Sequence, residues 1–147
     1  MVVDPGRAFG TGAHATTRLC LELLQDVEPT SLLDVGCGSG VLSVAAAKLG
    51  FAPVIATDID EVALEVTRTN AKANGVGVDV VAGIQPASLG VMNIAHDVVE
   101  RMLPELPVER AITSGYLERD EPRVDGWHRL ERRARDGWAA DLLEFRS

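Results

Sequence analysis

Three glycines and one acid carry the clearest chemistry in this sequence. The run Leu33-Asp34-Val35-Gly36-Cys37-Gly38-Ser39-Gly40 sets glycines at alternate positions directly after a short apolar segment. Glycine there lets the chain turn tightly and brings backbone against a ligand where a β-carbon would collide. A helix starting at Val41 aims its positive N-terminal end at the same place. The motif alone leaves a plain strand-to-helix turn equally open. A nicotinamide-binding turn reads Gly-x-Gly-x-x-Gly, whereas here Val41 holds the third glycine's place and Gly40 comes one residue early. Asp58 closes the next β-rich run, at about the spacing expected for an acid that grips ribose hydroxyls. A carboxylate can accept two hydrogen bonds from a cis-diol at once. The alternative is a cap for the helix beginning near Asp60, a task Asp60 can perform itself.

The elements that must position these residues follow from periodicity. Residues 16–27 place Leu19, Cys20, Leu23, Leu24 and Val27 on one helical face. Residues 31–35 read as a buried strand, 41–50 as an alanine-rich helix, and 53–57 as a second strand. A polar-faced helix over 61–74 stops at Asn74-Gly75, and 76–82 is a third strand. Further on, 89–92 reads as a strand, 95–106 as a helix closed by Pro107, and 110–114 as a fifth strand. Residues 127–135 and 138–145, hinged at Asp136-Gly137, read as a hairpin. This alternation predicts one α/β domain over residues 1–147. Its fold is Rossmann-like and doubly wound, a mainly parallel sheet ending in a C-terminal antiparallel hairpin. Its ligand belongs at the carboxyl ends of the first strands.

Composition narrows the partners. The net charge is −8, and residues 1–99 hold 5 Lys and Arg against 11 Asp and Glu. A phosphate-tracking surface needs a basic stripe, so nucleic-acid binding is not expected. Arg132-Arg133-Ala134-Arg135 is the one basic cluster, read as a solvated hairpin face. No apolar run approaches the roughly 18 residues that cross a bilayer. Cys20 and Cys37 make no disulfide framework, so a cytoplasmic location is expected. No His and Cys spacing suggests a metal site. Cys37 fills a turn slot where a small residue suffices and is not read as a nucleophile. His14, His96 and His128 read as exposed or bland.

The segment Asp34 to Gly40, with Asp58, resembles the first two motifs of class I S-adenosylmethionine-dependent methyltransferases. Asp4 to Leu21 closely resembles the segment that precedes the catalytic core in the PrmA family of bacterial ribosomal protein methyltransferases. Met92-Asn93-Ile94 is similar to that family's Ala-Asn-Ile motif, and Ser114-Gly115-Tyr116-Leu117 to its Ser-Gly-Ile-Leu strand end. The resemblance runs from Asp4 to about Phe145. It is to the catalytic domain, without the N-terminal domain with which the family grips its substrate.

The resemblance implies S-adenosyl-L-methionine as cofactor and a protein or small-molecule amine as methyl acceptor. It puts Thr17 near the methionine end, Gly36 beneath it, Asp58 on the ribose and Asn93 beside the reacting centre. Phe9 would help cover the cofactor within a segment and helix spanning residues 1–30, with Gly38 and Gly40 shaping the turn. Asn93 is the expected catalytic residue, because a carboxamide oxygen can orient a neutral amine without holding it as a cation. By themselves Thr17 and Asn93 also read as helix caps. Many class I enzymes place an acid after the third strand to meet the adenine amino group. Here the residues are Gly83-Ile84-Gln85-Pro86, so either Gln85 accepts that bond or the pocket is open there. A cofactor-binding module without its own catalysis is the alternative function, and an oxidoreductase is opposed by Val41.

Overall fold

The computed structural model describes residues 13–147. Its elements in chain order are α1 (Ala13–Gln25), β1 (Leu32–Val35), α2 (Val41–Lys48), β2 (Val54–Thr57), α3 (Glu61–Ala73), β3 (Asp79–Val81) and β4 (Leu89–Asn93). Then follow α4 (His96–Met102), a 3-10 turn (Leu103–Glu105), β5 (Arg110–Leu117), β6 (Trp127–Arg135) and β7 (Trp138–Phe145). The seven strands form one sheet in the order β3-β2-β1-β4-β5-β7-β6. Neighbours from β3 to β5 pair parallel, and the terminal hairpin adds β7 antiparallel to β5 and β6 antiparallel to β7. Doubly wound order and terminal hairpin are those expected from the alternation of runs.

Alternation along the central strands divides the core into two layers, because successive side chains leave opposite faces. Leu32, Val91, Ile112 and Leu142 pack with Leu19 and Leu23 of α1 and Leu42 of α2. Leu33, Met92, Ala111 and Leu143 pack on the other side with Val99 of α4 and Leu103. Leu64 of α3 lies on Ala56 of β2 and on Cys37. Both faces are therefore covered, as a parallel sheet requires.

Of the boundaries that differ from the sequence reading, three have a clear local reason. The first strand-like residue after α3, Val76, donates its N–H to Ala71 in the helix end, so β3 starts only at Asp79. The fourth helix ends at Met102 because Pro104 has no N–H for the α-helical ladder, and the chain tightens into a 3-10 turn. The fifth strand runs three residues beyond Ser114, carried by a bulge between Ser114 and Tyr116. Among the described residues no helix is long and apolar enough to cross a membrane. The basic cluster is not simply solvated. Arg132 binds Asp141, while Arg133 and Arg135 reach back to Glu22 of α1, and Arg133 also to Asp26.

Candidate cofactor and acceptor site

At the carboxyl ends of β1, β2 and β4 the sheet opens into a pocket of about 530 Å³, within the range of small-molecule sites. Gly36 and Gly38 from the turn after β1, Asp58 from the end of β2 and Asn93 from the end of β4 all line it. Four sequence-predicted residues thus meet in one place. A larger groove of about 710 Å³ lies near Ser31, Ser88 and Glu109, just before β1, β4 and β5, and holds none of them.

The turn is held by backbone bonds that fix its shape. Gly36 and Cys37 both donate their N–H to the carbonyl of Thr57, at 2.9 and 3.0 Å. Gly36 adopts φ +74°, and a β-carbon there would come within 2.9 Å of Ile94 Cγ2, between the turn and the end of β4. Asp58 does more than face the pocket. Its Oδ2 accepts the Gly38 N–H at 3.1 Å and its Oδ1 accepts the Asp60 N–H at 2.9 Å. Asp60 caps α3 by accepting from the Val62 N–H, so the capping role considered for Asp58 belongs to Asp60. An ionised carboxylate has about four acceptor positions, and the two spent on backbone leave two for a diol.

Asn93 is not a helix cap either. The residue before α4 is Ala95, and no side chain caps that helix. Asn93 instead donates Nδ2–H to Thr17 Oγ1 at 3.3 Å, which leaves its carbonyl oxygen for the pocket. Thr17 sits inside α1 rather than at its start, is buried, and holds Asn93 from behind without lining the pocket. Gly40 also stands behind the pocket. A β-carbon there would meet Thr67 at 2.8 Å, so it permits α3 to close on the turn. Phe9, and with it most of the expected covering segment, lies outside the described residues. Gln85 lines a surface hollow beside Ile55 and Asp79 rather than this pocket, whose wall there is Ala82, Gly83 and Ile84. His14 is exposed, as expected, but lies in the first turn of α1 instead of a loop.

Two residues with a part in the site escaped the sequence reading. From the buried face of α3, Thr67 donates to the Gly38 carbonyl at 3.0 Å and Asn70 donates to the Ser39 carbonyl at 2.7 Å. These bonds fasten the turn's carbonyls to α3, while the Gly40 N–H donates to the Cys37 carbonyl at 2.8 Å within the turn. The signal available was a pair of polar residues three apart on an otherwise apolar helix face.

Beneath the turn, Asp34 is 1% exposed and accepts the Ser43 hydroxyl at 2.7 Å. Burial pushes its carboxyl up from 3.8 to about 6; the Ser43 bond opposes this and the nearby Asp58 charge adds to it. The folded protein therefore holds this proton more tightly than the unfolded chain. Its contribution is full at the acid end and is lost as pH rises from about 4 through about 6. Two pKa units correspond to about 3 kcal/mol. In urea unfolding, the stability of the native chain relative to Asp34→Asn should fall by about that much from pH 4 to pH 7. A relative stability that stays flat across this window would remove Asp34 as its source. Burial also lifts the Cys37 thiol to about 12, and its sulfur sits 3.2 Å from Thr67 Oγ1, an arrangement for packing and not for nucleophilic attack.

The electrostatics select the kind of ligand. Among the described residues the lining carries two carboxylates, Asp58 and Asp60, and no Lys or Arg. Such a lining suits a ligand that brings positive charge, as an adenosyl sulfonium does. Exposed Ile59 and Ile84, with Val98 and Met102 of α4, supply apolar surface for a ring. The residues present thus fit S-adenosylmethionine.

Comparison with known proteins identifies the family. Residues 1–140 match the family model for ribosomal protein L11 methyltransferase, PrmA. The chain is 42% identical to the ribosomal protein L11 methyltransferase of Symbiobacterium thermophilum, over 95% of this chain and 52% of that protein. It is 38% identical to that of Parasynechococcus marenigrum, over 97% and 58% respectively. The chain spans about half the length of the curated relatives it matches. A crystal structure of ribosomal protein L11 methylase from Lactobacillus delbrueckii subsp. bulgaricus superposes with a TM-score of 0.85. It covers 99% of this chain and 83% of that one, at 24% identity, and so speaks for the fold.

Proposed function

This chain belongs to the ribosomal protein L11 methyltransferase (PrmA) family, and on that premise we propose that it methylates a protein amine with S-adenosylmethionine. Ribosomal protein L11, for which its relatives are named, is the acceptor of choice. The observation that carries the reading is the pocket itself. A turn without β-carbons at Gly36 and Gly38 is bonded directly to the acid Asp58, in a lining with no cation among the described residues. Residues 1–147 act in this reading as one cofactor-binding domain, with Phe9 and its neighbours covering the bound cofactor. The cytoplasm, where ribosomal proteins are made and where the free thiols of Cys20 and Cys37 stay reduced, is the matching compartment.

When bound, S-adenosylmethionine supplies an electrophilic methyl group on a sulfonium. The chain's own residues grip the ligand and position the nucleophile, since in-line displacement gains most from orientation. Asp58 takes the ribose diol with its two remaining acceptor positions. Asn93, held by Thr17, offers its carbonyl oxygen to an N–H of the incoming amine. A lysine amine with a pKa near 10.4 is almost wholly protonated at neutral pH, a cost of about 4–5 kcal/mol. A neutral acceptor such as Asn93 orients the free amine without stabilising its ammonium form, as a carboxylate would.

The test is methyl transfer from labelled S-adenosylmethionine to L11, with Asn93→Ala beside the native chain. The variant should transfer roughly 10–100-fold more slowly, about 1.4–2.7 kcal/mol in the barrier, and bind S-adenosylhomocysteine with nearly native affinity. An equal loss in both would reduce Asn93 to a prop for the pocket. A native chain that binds the cofactor and methylates neither L11 nor other proteins would make it a binding module instead.

A further inference from the structure

The hairpin side of the sheet carries a buried polar row that the binding pocket does not use. Thr113 of β5, Asp141 of β7 and Arg132 of β6 are cross-strand partners, Thr113 opposite Asp141 and Asp141 opposite Arg132. Asp141 is fully buried. Arg132 grips it through both ends of the guanidinium, Nε to Oδ1 at 2.8 Å and Nη2 to Oδ2 at 3.0 Å. Tyr116, 2% exposed, donates its hydroxyl to Asp141 Oδ2 at 2.6 Å. The same hydroxyl lies 2.7 Å from the Thr113 hydroxyl and 3.0 Å from the Thr113 carbonyl.

Tyr116 reaches this row only because β5 is bulged. Ser114 pairs with Ala140 and Tyr116 with Ala139, so Gly115 is the extra, unpaired residue. In a regular strand residues 113 and 116 would leave opposite faces. The bulge brings both to one face and pushes Gly115 against the end of β4. A β-carbon on Gly115 would stand 2.1 Å from the Ile94 carbonyl oxygen. The Ile94 N–H donates to the Ser114 carbonyl at 2.9 Å, and Asn93 pairs with Ser114. The backbone that presents Asn93 to the pocket therefore rests on the bulge, and the bulge is read by the Tyr116–Asp141 bond.

We propose that Tyr116, Asp141, Arg132 and Thr113 are positioning residues, a register lock that holds the Gly115 bulge against Asn93–Ile94 and so sets the acceptor side of the methyl-transfer site. The inference rests on the function proposed above. It assigns chemistry to a tyrosine that stands where the family motif has isoleucine. The lock touches neither Gly36 nor Asp58 but holds Asn93 and Ile94 of the pocket wall, so loosening it degrades acceptor alignment more than cofactor binding.

The experiment is Tyr116→Phe in this chain, with Thr113→Val as the milder variant that keeps the β-branched shape. Three readouts are taken: hydrogen exchange at the Ile94 amide, affinity for S-adenosylhomocysteine, and kcat on L11. Tyr116→Phe should speed Ile94 exchange at least tenfold while mid-strand amides such as Leu33 and Ile112 stay protected. Affinity should change less than about threefold and kcat should fall about tenfold. Thr113→Val should move the same readouts in the same direction by less. Unchanged Ile94 exchange in both folded variants, or exchange raised equally throughout β5, overturns the lock. If the native chain transfers no methyl group, the function fails while the exchange data still judge the lock. If it is active and Tyr116→Phe keeps native kcat, the positioning role fails alone.

Discussion

Gly115→Ala should lose about 3–5 kcal/mol of unfolding free energy, the largest effect expected from a β-carbon added at the described glycines. Two costs combine. The backbone at Gly115 has φ +103°, a region where an L side chain is strained by about 1–3 kcal/mol. The added carbon would also lie 2.1 Å from the Ile94 oxygen and 2.6 Å from its carbonyl carbon. Those are backbone atoms just beyond β4, pinned by the Ile94 N–H bond to Ser114, and cannot swing aside as a flexible side chain would. Relief requires β5 to separate from the end of β4, breaking the bond between Ile94 N–H and the Ser114 carbonyl. Gly77 is the control, because a β-carbon there meets nothing within 4 Å. Urea denaturation should show a large drop for Gly115→Ala and less than about 1 kcal/mol for Gly77→Ala. Similar small losses in both would mean that the bulge does not press on β4.

Such contacts mark the limit of what the chain discloses when read residue by residue. The terminal hairpin was legible to the residue, since Asp136-Gly137 is a strong turn signal between two β-rich runs. The doubly wound, mainly parallel sheet followed from the alternation of strand and helix, and the pocket from the place where glycine turn and acid converge. The continuation of β5 to Leu117 was not legible, because the bulge depends on Asp141 and Arg132, which are distant in sequence. Nor was the burial of Asp141. Nothing within Trp138–Phe145 announces it, because Arg132 and Tyr116, with Arg129 3.8 Å away, are what make its burial tolerable. Position alone left the adenine end open between a bond from Gln85 and an open pocket; the segment after β3 presents Ala82 to Ile84 to the pocket, and Gln85 lies outside it. Local pattern located the ligand, and tertiary contact decided which side chains frame it.

Asp58→Ala carries the second large effect. It removes the two acceptor positions facing the ligand and, in the same stroke, the anchors of the Gly38 and Asp60 N–H groups. Hydrogen bonds to a charged group contribute about 1.5–3 kcal/mol each, but water replaces part of what is lost at this half-buried site. A net loss of about 2–3 kcal/mol in cofactor binding follows, roughly 30–150-fold in Kd. Folding should suffer less, because Asp60 still caps α3.

Calorimetric titration of the native chain and Asp58→Ala with S-adenosylmethionine, and of the native chain with NAD, tests most directly whether turn and acid grip one adenosyl sulfonium. The native chain should bind S-adenosylmethionine and not NAD, with the variant weaker by that factor. Uptake of NAD by the native chain, or native affinity for the sulfonium in Asp58→Ala, would contradict it.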